Sequence, residues 1–255
     1  MKSVVFDRAA TFYDETRGFP DGTEVDAARL FIIAGNVGTG TRIVEPGIGT
    51  GRVALPLARL SGAKVFGVDL SSPMMQQLRS KQHQESIALI CGDAMHLPLP
   101  DSTFDAAVIT HVFHLVADWQ RSLAEIRRVL RPGGVLLYSW TSFDENDFMS
   151  VWRQVLGRKN TDRFSGFSSS AFLDEAGWKR HGETQQMIYS VSRSPNQYIN
   201  SLKNRIWSST WQMTDDEITA GAQKLLKTTE QYNLPLDEAM VRDATFSVAP
   251  YSPQN

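Results

Sequence analysis

The stretch "VEPGIGTGRVALPLARL", residues 44 to 60, constrains the fold more than any other. Gly47, Gly49 and Gly51 alternate with single residues directly behind an apolar run, and a helical pattern follows. Glycines placed this way permit a tight turn and let the backbone approach a ligand closely. The helix start behind them offers free N–H groups and the positive end of a dipole. Up to residue 140 the same alternation repeats. "TRIVEP", "AKVFGVDL", "SIALICGD", "FDAAVITHVF" and "GVLLYSW" are predicted strands. "RVALPLARL", "SPMMQQLRSKQ" and "DWQRSLAEIRRVL" are predicted helices, the second capped by Ser72 with Pro73 in its first turn, the third closed by "RPGG". Strands alternating with helices imply right-handed crossovers, hence an α/β fold with a doubly wound, mostly parallel sheet. The continuous Val/Ile/Leu runs suit strands buried on both faces.

Outside this core the pattern loosens. Residues 1 to 40 begin polar, and "DGTEVDAARLFIIAGN" then predicts a helix with Thr23 as N-cap. After residue 140, "SSSAFLDEAGW" predicts a helix ending at Gly177, and "KRHGETQQMIYSVSRS" a strand. "SPNQYINSLKNRIWSSTW" and "TDDEITAGAQKLLKTTEQY" predict helices, with Trp207 and Trp211 one turn apart on one side of the first, and "MVRDATFSVAPY" a last strand. We expect a single domain over 1–255. Residues 1–40 are an N-terminal cap and 41–140 a ligand-binding core. Residues 141–255 hold the last strands and, within 141–168 and 192–236, the source of a substrate lid.

Composition narrows the class. With 255 residues, a net charge of −2 and 21% charged residues, the chain has no global basic field to attract nucleic acid. A single cysteine, Cys91, rules out an intramolecular disulfide; it sits in an apolar strand as an inert residue. The opening does not read as a signal peptide, and no apolar run approaches the roughly 20 residues of a membrane span. A cytoplasmic protein without membrane association is the expectation. His83, His96 and His181 lack ligand spacing, so no metal site is expected.

Two ligand classes use such a glycine loop. A dinucleotide site wants Gly-x-Gly-x-x-Gly/Ala, but Arg52 stands where the small third residue belongs, which counts against an NAD-dependent oxidoreductase. Asp69, closing "VFGVDL", suits the two hydroxyls of a ribose in either class.

"VEPGIGTG", "VFGVDLS", "CGDAMHLP", "FDAAVITHVFHLVAD" and "EIRRVLRPGG", in this order, resemble the class I S-adenosylmethionine-dependent methyltransferases, in the small-molecule variant that includes the ubiquinone/menaquinone C-methyltransferases. "FDRAATFYDETRGFP" is similar to the N-terminal cap of that group. The resemblance covers roughly residues 40 to 140 strongly. It implies a seven-stranded Rossmann-like sheet with a helical cap and a helical insertion before the last strand. It implies S-adenosylmethionine as cofactor and methyl transfer to a small-molecule acceptor. Glu45 would orient the loop and reach the methionine ammonium, while Gly47 and Gly49 lie against the amino-acid part and Gly51 begins the helix. Asp69 would take the ribose hydroxyls, Leu70 pack on the adenine, and Asp93 and the Ala94 N–H read its edge. Thr110 would lie beside the methionine part. Arg17 is the candidate for the cofactor carboxylate and Tyr13 for the methyl channel. If the acceptor must lose a proton, His111 or His114 is the candidate base, with a structural role as the alternative for each. Met74 and Met75 touch adenine or belong to the core; Trp140 and Phe143 line an acceptor pocket or merely pack. Two other classes stay open: a non-catalytic cofactor sensor or scaffold, and a tRNA methyltransferase. No "Asn/Asp-Pro-Pro-Tyr/Phe/Trp" element follows the fourth strand, and no nucleic-acid partner is expected.

Overall fold

A computed structural model describes residues 3–17, 19–20, 22–157 and 169–254. Its contacts divide the chain into two compact units. The first comprises Met1–Thr141, Phe167–Met187 and Phe246–Asn255, the second Ser142–Gly166 and Ile188–Thr245.

The first unit is built on a mixed, mostly parallel sheet. Strands β1 (Arg42–Pro46), β2 (Lys64–Asp69), β3 (Ile87–Cys91), β4 (Phe104–Thr110), β5 (Leu130–Phe143), β6 (Trp178–Arg180), β7 (Gln185–Arg193) and β8 (Met240–Pro253) lie in the order β3-β2-β1-β4-β5-β8-β6, with β7 paired to β8. β1, β2, β3, β4 and β5 pair parallel, and β6 runs antiparallel to β8. The expected sixth strand is two strands here, because Gly182 turns the chain at φ +88° between β6 and β7. β5, β7 and β8 contribute residues to both units.

Helices α1 (Tyr13–Arg17), α2 (Thr23–Gly35), α3 (Ala54–Ser61), α4 (Ser72–Lys81), α5 (Trp119–Val129) and α7 (Ala171–Glu175) belong to the first unit, α6 (Asp147–Val155), α8 (Pro195–Lys203) and α9 (Asp215–Gln231) to the second. α5 shows why such helices form. Asp118 caps it by accepting from the Arg121 N–H at 3.0 Å, and Leu123, Ile126 and Val129 bury one stripe against β4 and β5 side chains such as Ile109 and Leu136. Each such side chain contributes about 2 kcal/mol on burial.

Several local expectations shift. Thr23 is the first helical residue rather than the cap. Its hydroxyl donates to Pro20 O at 2.7 Å, and Gly22, at φ +85°, precedes the helix. Ser71, not Ser72, caps α4, because its extended backbone leaves Oγ free to accept the Met74 N–H at 3.3 Å. Cys91 is exposed, since β3 is the sheet's edge strand. Trp207 and Trp211 do not share a helix. α8 stops at Lys203, Arg205 takes a left-handed φ of +50°, and the two tryptophans flank a short 3-10 turn, Ser208–Thr210.

In the second unit α6, α8 and α9 gather Phe148, Trp152, Tyr198, Leu202, Ile218 and Leu225 into their own apolar cluster. Capping boxes open both α8 (Ser194 with Gln197) and α9 (Thr214 with Glu217). The segments expected to supply a lid provide these helices; residues 158–168 lie outside the described residues.

Candidate functional site

The strand order reverses between β1 and β4, and in open α/β sheets ligands bind beyond the strands' carboxyl ends at that point. Here a cavity opens. Its wall includes Gly47 and Gly49 after β1, Asp69 and Leu70 at the end of β2, Asp93 and Ala94 after β3, and Thr110 and His111 at the end of β4. Tyr13 and Phe6 reach it from the N-terminal segment. Nine of the expected site residues therefore meet: Tyr13, Gly47, Gly49, Asp69, Leu70, Asp93, Ala94, Thr110 and His111. Arg17, Glu45, Gly51 and His114 are not in that wall.

The glycine loop owes its shape to close packing. Gly47 has φ +75°, and a Cβ there would stand 2.5 Å from Val112 Cγ2. Ile48 packs down onto Gly67 of β2, where any Cβ would overlap the Ile48 side chain. Gly51 serves the core rather than a ligand. α3 proper starts only at Ala54, the Gly51 carbonyl accepts the Leu55 N–H at 2.9 Å, and a Cβ on Gly51 would strike Leu78.

Asp69 is held from both sides. Its Oδ2 accepts the Gly49 N–H at 2.8 Å and its Oδ1 the Ser71 N–H at 2.8 Å. Burial raises its pKa, while the N–H donors of Ser71, Gly49 and Leu70 pull the other way. Of the carboxylate's roughly four acceptor sites, these three N–H groups leave capacity for a further donor. Asp93 forms a turn, its Oδ1 accepting the Met95 N–H at 2.9 Å. Thr110 Oγ1 accepts from Ser139 Oγ at 2.8 Å.

Glu45 is 4% exposed, and its Oε2 has no hydrogen-bond partner among the described residues. Burial pushes its pKa up to about 8, with Arg52 opposing and Asp69 adding to the rise. The carboxyl is therefore largely protonated at neutral pH, and a cation brought beside it would favour ionisation. His111 sits at φ +55°, with Nε2 3.3 Å from Thr141 Oγ1. Burial, helped by Arg52, pushes its pKa down to about 3, so the ring is neutral.

The N-terminal segment is tied across this edge. Val4 N–H donates to Leu115 O at 3.0 Å, and Ser71 Oγ to Asp7 Oδ1 at 2.6 Å. Asp14 accepts from Thr50 Oγ1 at 2.5 Å and pairs with Lys81 at 2.7 Å. Arg52 donates to the Arg17 carbonyl and stacks 4.6 Å from the Phe19 ring centre. The Arg17 guanidinium covers the Phe6 and Tyr13 rings at 5.3 and 5.2 Å, and burial lowers its pKa. Sequence reasoning missed Ser3, Val4, Phe6, Leu115 and Val116 in the cavity wall, because their placement depends on this long-range tie rather than on any motif. Among the described residues no cluster of His, Cys, Asp and Glu could hold a metal, and no helix is long and apolar enough to cross a membrane.

Comparison with known proteins agrees with this geometry. A family described as "Methyltransferase domain" matches residues 44–138. A demethylmenaquinone methyltransferase of Thermobifida fusca is 30% identical over 195 residues, covering 70% of this chain and 82% of that protein. A malonyl-[acyl-carrier protein] O-methyltransferase of Yersinia pestis is 29% identical over 163 residues, covering 64% of this chain and 58% of the relative. Several curated relatives are matched over only 45% to 65% of their own length. Among solved structures, an SAM-dependent methyltransferase of Geobacter sulfurreducens in complex with S-adenosyl-L-homocysteine superposes with a TM-score of 0.57 at 15% identity. That match covers all of both chains, and it speaks for the fold alone. The glycine loop, the acidic strand ends and these relatives together identify the chain as a member of the S-adenosylmethionine-dependent methyltransferase family.

Proposed function

We propose that this chain binds S-adenosylmethionine in the cavity at the carboxyl ends of β1, β2, β3 and β4 and transfers its methyl group to a small-molecule acceptor. The observation that carries the reading is the convergence of Gly47, Gly49, Asp69 and Asp93 on one wall, with Asp69 oriented by two backbone N–H groups. The residues present fit the cofactor. Gly49 leaves open wall space that a Cβ would fill against Met74 Cε, at 3.3 Å, and Glu45 holds an oxygen without a partner among the described residues. Bound there, the cofactor would supply an electrophilic methyl on its sulfonium, to be taken by the acceptor's electron pair, with S-adenosylhomocysteine as the leaving group and any acceptor proton released to solvent.

In this reading Asp69 accepts the ribose hydroxyls with its remaining lone pairs. Leu70, Asp93 and Ala94 hold the adenine. The Gly47 and Gly49 backbone lies along the amino-acid part. Glu45, a buried carboxyl whose Oε2 has no partner among the described residues, favours a cationic ligand. Arg17 and Tyr13 close the N-terminal side. Thr110 and His111 face the reacting end. A His111 ring with a pKa near 3 does not store a proton at neutral pH, so its role is to orient and to accept a hydrogen bond. The chain then works by alignment and exclusion of water; His114 lies outside the cavity wall.

The acceptor is a small molecule. The two relatives are named for a demethylmenaquinone and for an acyl group on a carrier protein, which marks quinone-like and carboxyl acceptors as the first to try. The test is incubation with methyl-labelled S-adenosylmethionine and a panel of phenols, quinols and free or thioester-linked carboxylic acids. Label in one acceptor with equimolar S-adenosylhomocysteine supports the reading. Tight cofactor binding with no transfer to any class favours the sensor alternative.

A further inference from the structure

The second unit carries two arginines that the reading above does not use. Arg193, at the end of β7, lies with its guanidinium carbon 5.5 Å from the ring centres of both Tyr198 and Trp207. Arg242, on β8, lies 5.1 Å from the Phe143 ring centre. Its Nη2 donates to the Tyr198 hydroxyl and its Nη1 to the Asp144 carbonyl, both at 3.2 Å. One tyrosine thus receives one guanidinium on its ring and another on its oxygen. Both arginines are half-buried, and Tyr198 is buried.

Among the described residues neither arginine has a carboxylate within ion-pair distance, a property that they share with several other arginines of the chain; what sets these two apart is that both meet on Tyr198. The adjacent Asp243 does not serve. Its side chain accepts from Ser190 Oγ at 2.8 Å, and alternation along a strand sends it to the face opposite Arg242. Two positive charges that meet on one aromatic residue, one at its ring and one at its oxygen, favour an anion in their neighbourhood. A guanidinium beside an aromatic ring keeps its in-plane N–H donors for a carboxylate or phosphate; Arg242 has already given one N–H to the Tyr198 hydroxyl and one to the Asp144 carbonyl, so its remaining N–H groups serve an anion alongside those of Arg193.

We propose that Arg193 and Arg242 form a binding site for the anionic head, carboxylate or phosphate, of an amphiphilic small molecule. Phe143, Tyr198 and Trp207 supply the apolar shelf. The site is argued from the second unit alone and does not depend on the methyl-transfer reading.

The probes are octanoate, octyl phosphate and octanol, each titrated calorimetrically into the full chain. The expected result is that one or both anions bind at least about 10-fold more tightly than octanol, with affinity falling as salt rises. Binding by octanoate alone assigns a carboxylate, and by octyl phosphate alone a phosphoryl group. Arg193→Gln and Arg242→Gln should each weaken the anion about 10-fold while leaving S-adenosylhomocysteine affinity unchanged. Arg242 also ties Asp144 and Tyr198, so Arg193→Gln decides the matter if Arg242→Gln fails to fold. Equal affinity for octanol and both anions, or wild-type affinity in Arg193→Gln, overturns the proposal.

Discussion

Replacing Glu45 by Gln separates the charge of this side chain from its shape. Glu45 is buried at the end of β1 with one oxygen lacking a partner among the described residues, and its folded-state pKa is about 8 against 4.5 for the exposed group. Between those values the unfolded chain has released the proton and the folded chain still holds it. Stability therefore falls as pH rises, by about 1.4 kcal/mol per pH unit. His111 works in the opposite direction at acid pH, so the wild-type profile alone mixes the two. The difference between Glu45→Gln and wild type isolates Glu45. From pH 5.5 to 7.5 the variant should gain on the order of 2 kcal/mol relative to wild type, read from urea unfolding at each pH. A difference that stays flat over that interval would mean that Glu45 is ionised in the folded chain, and the argument from burial would fail.

Two further perturbations test the neighbourhood. His111 has a folded pKa of about 3 against 6.5 unfolded, so its stabilising contribution is complete above pH 6.5 and is lost as pH falls; His111→Gln should gain about 1 kcal/mol on wild type between pH 5.5 and 4.5, by the same assay. An equal acid response in both proteins would place the ring in solvent. Gly47→Ala should cost on the order of 3 kcal/mol, combining a left-handed φ of +75° with a Cβ placed 2.5 Å from Val112 Cγ2. A melting temperature within a degree or two of wild type would show that the loop can move aside.

The core was legible because a parallel α/β sheet writes itself locally. β1, β2 and β4 are apolar runs with buried residues and β3 is an apolar run at the sheet's edge, and each strand end carries its cavity-lining residue close behind, which is why Gly47, Asp69, Asp93 and Thr110 meet in one wall. Arg17, Glu45 and His114 did not reach the wall, since their directions depend on packing rather than spacing. Arg17 turns onto Phe6 and Tyr13, and the Glu45 side chain is buried within reach of the Arg52 and Asp69 charges. Helix ends were less legible than helices, because the choice between Ser71 and Ser72 rests on a single φ/ψ pair. The break after Lys203 was hidden as well: nothing in "LKNRIWSSTW" signals that Arg205 turns left-handed. The arginine pair on Tyr198 joins residues from β7, α8 and β8, far apart in sequence, so no local pattern announces it.

The most direct test of the central claim is calorimetric titration with S-adenosylmethionine, S-adenosylhomocysteine and NAD, on wild type and on Asp69→Asn. The account predicts that both sulfur nucleosides bind wild type, that Asp69→Asn weakens them by about 10-fold or more through the lost charge-assisted hydrogen bonds, and that NAD does not bind. Binding of NAD in their place, or equal affinity of the sulfur nucleosides for wild type and Asp69→Asn, would contradict it.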